Sequence, residues 1–179
     1  MCQMERRNIT NEFLKECIAD ALIKLLQEKP MENISISEIT DLAGVGRSTY
    51  YRNFTSKEDI LSFKLHLLGK RWTQEEGVSD SSDIKLVLEK ACHYLYEIRN
   101  LLNIFYQNGQ IHIICSTMYD LVGPAETDNK KDKYLKAGLS FFSFGIIFQW
   151  LKDGMQESAE ELAQMVLDMS NDIINKHTL

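Results

Sequence analysis

The chain has 179 residues, of which 44% are hydrophobic and 26% charged, the composition of a globular protein that buries a real core rather than of a disordered or fibrous chain. Only 2 prolines and 9 glycines are present, too few for an all-β sandwich, which needs a turn signal about every 8–12 residues, so the expectation is an all-α fold. The net charge of −6 divides unevenly: residues 1–70 carry ten basic and ten acidic side chains, whereas residues 71–179 carry ten against sixteen. A neutral first part with clustered Arg and Lys still suits a phosphate backbone, and the asymmetry predicts two functional regions.

In chain order, Phe13, Leu14, Cys17, Ile18, Ala21, Leu22, Leu25 and Leu26 form an i, i+3, i+4, i+7 stripe, a first helix from about Thr10 that ends near Pro30. Ser35-Ile36-Ser37-Glu38 has the spacing of a capping box, so a second helix opens at Ile36 and stops at Gly44. Gly44-Val45-Gly46 is a tight turn, after which Arg47 to Phe54 forms a third, short helix. Thr55-Ser56-Lys57-Glu58-Asp59 caps a fourth that runs toward Trp72, and the polar stretch 75–83 reads as a loop. Further helices are expected over Ile84–Phe105, Ile111–Leu121, Lys130–Asp153 and from Ser158 to about Lys176, with stops at Gly109, Gly123-Pro124 and Gly154.

A helix, a glycine turn and a short helix bearing small polar residues make a helix-turn-helix, whose second helix must be thin and polar toward the DNA groove and apolar behind. Tyr50 and Phe54 supply the back. Arg47, Ser48, Thr49, Tyr51, Arg52 and Asn53 are left for DNA, with Lys57 in the first turn of the next helix, where free N–H groups already favour phosphate. Ser35, at the start of the preceding helix, completes the candidate DNA-binding set. The alternative from composition alone is a three-helix packing unit with a solvated basic face.

The run from Ile34 to Leu61 resembles the DNA-binding domain of the TetR family of bacterial transcriptional regulators. Ala43-Gly44-Val45, Thr49, Tyr51, Phe54 and Ser56-Lys57-Glu58 stand where that family has its Ala-Gly-Val turn, Thr-x-Tyr-x-x-Phe recognition helix and Ser-Lys-Glu helix start. Two positions depart from it: Gly46 replaces a common serine, which removes a helix cap and phosphate contact, and Thr40 replaces a common alanine. The resemblance implies Thr49 and Tyr51 against DNA and Lys57 on a phosphate. It further implies a DNA-binding domain over 1–70 and a helical dimerisation and ligand-binding domain over 71–179, whose last two long helices make a four-helix bundle with a second copy.

The last two helices agree, since both carry more apolar surface than one buried face requires. Phe141, Phe148, Leu162, Met165, Val166, Met169 and Ile173 are the candidate dimer contacts. Tyr96, Phe105, Tyr106, Tyr119, Phe142 and Gln149 offer the mixture of aromatic wall and few polar anchors that small-molecule pockets use. His112 and Cys115 stand i, i+3 on one helix, with Cys92-His93 elsewhere, but a buried thiol and a satisfied histidine explain the same residues, so no metal and no cofactor are expected. The sequence contains no G-x-S-x-G, H-E-x-x-H or phosphate-binding glycine loop, which argues against an enzyme. The uncharged stretches 100–119 and 137–151 are respectively interrupted by polar residues and shorter than the about 20 residues of a membrane span. Met1 to Arg7 has no apolar signal region, and the four scattered cysteines suit a reducing compartment, so a cytoplasmic protein is expected. The reading is thus a homodimeric repressor released from operator DNA by a small molecule. An activator working through a partner protein and a helical ligand-binding protein without DNA function are the alternatives.

Overall fold

The computed structural model describes the backbone of residues 3–75 and 84–176 and the side chains of residues 11–75 and 85–169. Among the described residues it is all-helical: α1 (Gln3–Leu26), a 3-10 turn (Met31–Asn33), α2 (Ile36–Ala43), α3 (Arg47–Asn53), α4 (Lys57–Glu75), α5 (Ile84–Glu97), α6 (Arg99–Gln107), α7 (Ile111–Val122), α8 (Lys130–Lys152) and α9 (Ala159–Lys176). The loop expected over 75–83 lies, apart from Glu75, outside the described residues.

The caps form where the sequence places them. Ser35 Oγ accepts from the Glu38 N–H at 3.3 Å while the Glu38 carboxylate accepts from the Ser35 N–H at 2.9 Å, closing both halves of the capping box. Ser158 and Glu161 repeat the device at the start of α9, and Ser56 Oγ caps the Asp59 N–H of α4 at 3.1 Å. α1 begins at Gln3 rather than near Thr10, because nothing in Gln3 to Asn11 breaks a helix.

The helix expected over Ile84–Phe105 is broken. Ile98, at φ −89° and ψ 9°, separates α5 from α6, and the Arg99 guanidinium reaches back over the break to the Tyr96 carbonyl at 2.6 Å while lying 4.0 Å from the Tyr96 ring centre. No Gly or Pro marks this position, so the break belongs to tertiary packing.

α1 packs on α2, α3 and α4 to form the head, with Ile18, Leu22, Ile39, Tyr50, Phe54, Ile60 and Leu61 at its centre. In the body α5 packs on α9 and α7 on α8, around Leu102, Phe105, Ile114, Ile147, Trp150 and Leu162. α4 belongs to both: it packs on α1 at one side and α7 at the other, and residue 70 falls inside it. Ion pairs fix it to α1, Lys64 to Asp20 at 2.7 Å and Arg71 to Glu16 through two hydrogen bonds, one of them 2.9 Å long. At Gly69 α4 meets α7 so closely that a Cβ there would stand 2.3 Å from Leu121 Cδ1.

Candidate nucleic-acid interface

The α2–turn–α3 unit is held by its backbone. Gly44 takes φ 66°, ψ 30°, a left-handed conformation that costs glycine nothing, and its N–H closes on the α2 carbonyls. Val45 N–H then bonds the Thr40 carbonyl at 3.0 Å, and the chain leaves through an extended Gly46 into α3. Thr40, the departure from the family pattern, is 1% exposed and donates its hydroxyl to the Ile36 and Ser37 carbonyls at 3.0 Å each, so its polarity is consumed within its own helix.

α3 divides into a buried back and an open front. Tyr50 and Phe54 are 2% and 3% exposed; Phe54 meets Phe63 edge-on at 5.7 Å, and burial raises the Tyr50 hydroxyl above its usual pKa. Lys15 of α1 places its ammonium 4.0 Å from the Phe63 ring centre and 5.4 Å from that of Phe54. This support for the recognition segment escaped the sequence reading, its only signal being a lysine set between Leu14 and Cys17 in the apolar stripe.

Arg47, Ser48, Tyr51 and Arg52 are exposed on the front and Thr49 and Asn53 are half-buried. Tyr51 is 68% exposed and held edge-on to Tyr50, with ring centres 5.1 Å apart. Asn53 Nδ2 donates to the Thr49 carbonyl at 2.8 Å, so this amide braces α3 before it can meet a base. Six of the expected side chains therefore share one short helix, four of them fully open. The other two are engaged elsewhere. The Ser35 hydroxyl is occupied in the capping box, donating to Glu38 at 2.8 Å. The Lys57 ammonium bonds the Met31 and Ile34 carbonyls, the latter at 2.9 Å, and ties α4 to the 3-10 turn, leaving one of its three N–H groups for a phosphate.

The expected pocket residues do not converge. Phe105 is wholly buried core; Tyr96 packs on Trp150, Tyr106 on Phe148 and Tyr119 on Phe141, and Phe142 is half-buried. Gln149 is exposed and bonds Asp153 at 2.7 Å, because its place on α8 faces solvent; it is no interior anchor. None of the six lines either of two cavities of about 640 and 480 Å³. Among the described residues the body holds three buried polar atoms without a partner, Tyr94 Oη, Gln110 Oε1 and Trp150 Nε1, and the sequence marks neither Gln110 nor Trp150 as an anchor.

Of the expected dimer contacts, Phe141, Phe148, Met165 and Met169 are exposed, between 37% and 57%. Leu162 and Val166 differ from these: at 4% and 6% exposure they lie on the side of α9 that packs within its own subunit and leave little surface for a second copy. The Ile173 side chain lies outside the described residues. Among the described residues no group of three His, Cys, Asp or Glu side chains could hold a metal ion, and no helix is long and apolar enough to cross a membrane.

A buried-backed, open-fronted second helix on a glycine turn defines a helix-turn-helix regulator. Residues 18–62 match the family described as bacterial regulatory proteins, tetR family, and residues 82–172 match a transcriptional regulator C-terminal region. The chain belongs to the TetR family of bacterial transcriptional regulators. It is 21% identical over 165 residues to the uncharacterized HTH-type transcriptional regulator YxbF of Bacillus subtilis, covering 85% of this chain but only 43% of that protein. Two solved structures share the fold. The dihydroxyacetone kinase operon activator DhaS has a TM-score of 0.55 at 20% identity, covering 87% of this chain and 93% of its own. FadR from Bacillus subtilis, in complex with stearoyl-CoA, has a TM-score of 0.54 at 22% identity, covering 86% and 96%.

Proposed function

We propose that the chain is a homodimeric repressor that binds operator DNA through α3 and leaves it when a small molecule binds the body. The observation that carries the reading is the division of α3, Tyr50 sealed beneath and Tyr51 open above, which is what entry into a major groove demands. In this reading Arg47 and Arg52 meet phosphates, Ser48, Thr49, Asn53 and Tyr51 meet bases or backbone, and Lys57 offers its remaining N–H to a phosphate. Ser35 contributes through its cap, by holding α2 in place.

The exposed Phe141 and Phe148 of α8 and Met165 and Met169 of α9 supply the apolar surface for a second copy. Two recognition helices would then reach successive major grooves about 34–36 Å apart. α4, fixed to α1 by ion pairs and to α7 at Gly69, supplies the path by which a ligand in the body changes that spacing. Tyr94 Oη and Trp150 Nε1 are interior donors that a ligand acceptor would satisfy; FadR, with its stearoyl-CoA, makes an acyl compound the first class to try.

A second reading, suggested by the activator DhaS, keeps the same head and dimer but promotes transcription. Capture of sheared genomic DNA by the purified protein, sequenced and followed by a salt titration on the best fragment, tests the shared part. A palindrome enriched by the wild type, lost in Tyr51→Ala and bound ever more weakly as salt rises supports it. Equal capture by both proteins would refute it. A reporter driven by that promoter decides the sign.

A further inference from the structure

α4 belongs to the head and crosses α7 of the body, and a histidine stands at the crossing. His66 of α4 sets its Nδ1 2.8 Å from the Ser62 carbonyl oxygen, one turn back on the same helix, and its Nε2 2.8 Å from Asp120 Oδ2 of α7. We infer that His66 is a proton-operated tie between head and body, so that a proton acts as an effector of operator binding in its own right. The inference rests on the regulator reading and adds to it an input that needs no pocket in the body.

A backbone carbonyl and a carboxylate can only accept, so the ring satisfies both at once only when each nitrogen bears a proton, as the imidazolium. A neutral ring has one N–H and must turn a lone pair on one of the two acceptors. It has another seat within reach: Thr117 Oγ1 of α7 and Ser62 Oγ each stand 3.4 Å from Nδ1, and a hydroxyl can donate to that lone pair. Thr117 is 2% exposed, so its hydroxyl cannot turn to solvent instead. Protonation thus chooses between two seats for the ring, the Ser62 carbonyl or the hydroxyls. Close packing passes the choice on, because three residues further along α4 Gly69 receives Leu121 with no room for a Cβ. The neighbouring charges leave the ring to Asp120: on the α1 side Asp20 is held by Lys64, and Glu12 and Glu16 by Arg71, while Lys70, one turn beyond His66, is exposed. A quarter of the His66 side chain is open, 25%, so protons reach it from solvent.

Because the tied arrangement carries both protons, its contribution is complete in mildly acid solution and is lost as the pH rises through the histidine range, about 5–8. A fixed crossing also lowers the cost of ordering two heads on one operator, so the tied form should bind DNA more tightly. The full chain and His66→Gln are compared at constant salt across that range, by thermal unfolding without DNA and by operator affinity. The expected result is a Tm gap that is widest at the acid end and closes toward the alkaline end. Over the same range the wild-type advantage in operator affinity should fall from about three- to fivefold, the worth of one partly exposed ion pair, to about one. Asp120 is 57% exposed, so Asp120→Asn should fold and should remove the same pH dependence. His93→Gln, which alters a histidine 3.5 Å from Glu160 and away from the crossing, should keep it. A Tm gap or an affinity ratio that stays constant with pH would mean a merely structural histidine and overturn the inference, as would a ratio that grows toward the alkaline end. A wild type that holds no operator at any pH would overturn the regulator reading and the effector role with it, while the Tm gap reports on the tie itself.

Discussion

Gly46 occupies the N-cap of α3 with an extended backbone, φ −77° and ψ 149°, that any residue adopts, and makes no side-chain cap. A Cβ built there meets only Ser48 Oγ, at an ordinary 3.6 Å. Gly46→Ser should therefore stabilise the fold by about 0.5–1 kcal/mol, through the new cap and the less flexible unfolded chain. Thermal unfolding reads this as a rise of about 2 °C in Tm; a lowered Tm would mean that the turn does not accept a side chain. At Glu38 the argument concerns pH. Hydrogen bonds from Lys29 and then from the Ser35 N–H and hydroxyl hold its carboxyl down at about 2, against an ordinary 4.5. Because the folded value is the lower one, the stabilisation is complete above about 4.5 and is lost as pH falls toward 2. The Tm gap between wild type and Glu38→Gln should be widest near neutrality, shrink below pH 4.5 and close near pH 2. A constant gap would show that the charge plays no part.

Among elements, α4 joins what the sequence separates. His66 Nε2 lies 2.8 Å from Asp120 Oδ2 of α7 and, three residues on, Gly69 accommodates Leu121, so two consecutive contacts fix the crossing. Gly69→Ala should cost about 1–3 kcal/mol by overpacking. Since the clash is with the tip of a flexible side chain, Leu121→Ala should relieve it, and the double variant should unfold in urea at a higher midpoint than the two single losses predict. Strict additivity would deny the close approach. The helix starts were legible because Ser35-Glu38, Ser56-Asp59 and Ser158-Glu161 carry their caps within a few residues, and the stop at Gly44 because only glycine enters that turn freely. The break at Ile98 was not legible, because a contact between Arg99 and Tyr96 marks it and no breaking residue does. The face of α3 could be read from Tyr50 and Phe54 four residues apart, whereas the second task of Lys57 depends on carbonyls 23 and 26 residues away.

At the scale of the whole molecule, periodicity shows that α9 is apolar on two stripes but cannot say which stripe its own subunit claims. Packing on α5 decides it: Ala159, Leu162, Ala163 and Val166 turn inward, and Met165 and Met169 are left outside. With Leu135, Leu139, Phe141 and Phe148 on α8, they leave more large apolar side chains exposed on these two helices than scattered surface residues account for. This division separates association from folding. Leu162→Ala should lower stability by about 2–5 kcal/mol as a core truncation. Phe141→Glu and Met165→Glu change exposed positions on different helices, so each should leave the helical circular dichroism intact while shifting sedimentation from dimer toward monomer. Operator affinity should fall with the dimer, because a single head grips only one half-site. If both charged variants sediment as the wild type does, the proposed α8–α9 interface is wrong and the paired recognition helices must be brought together by another surface.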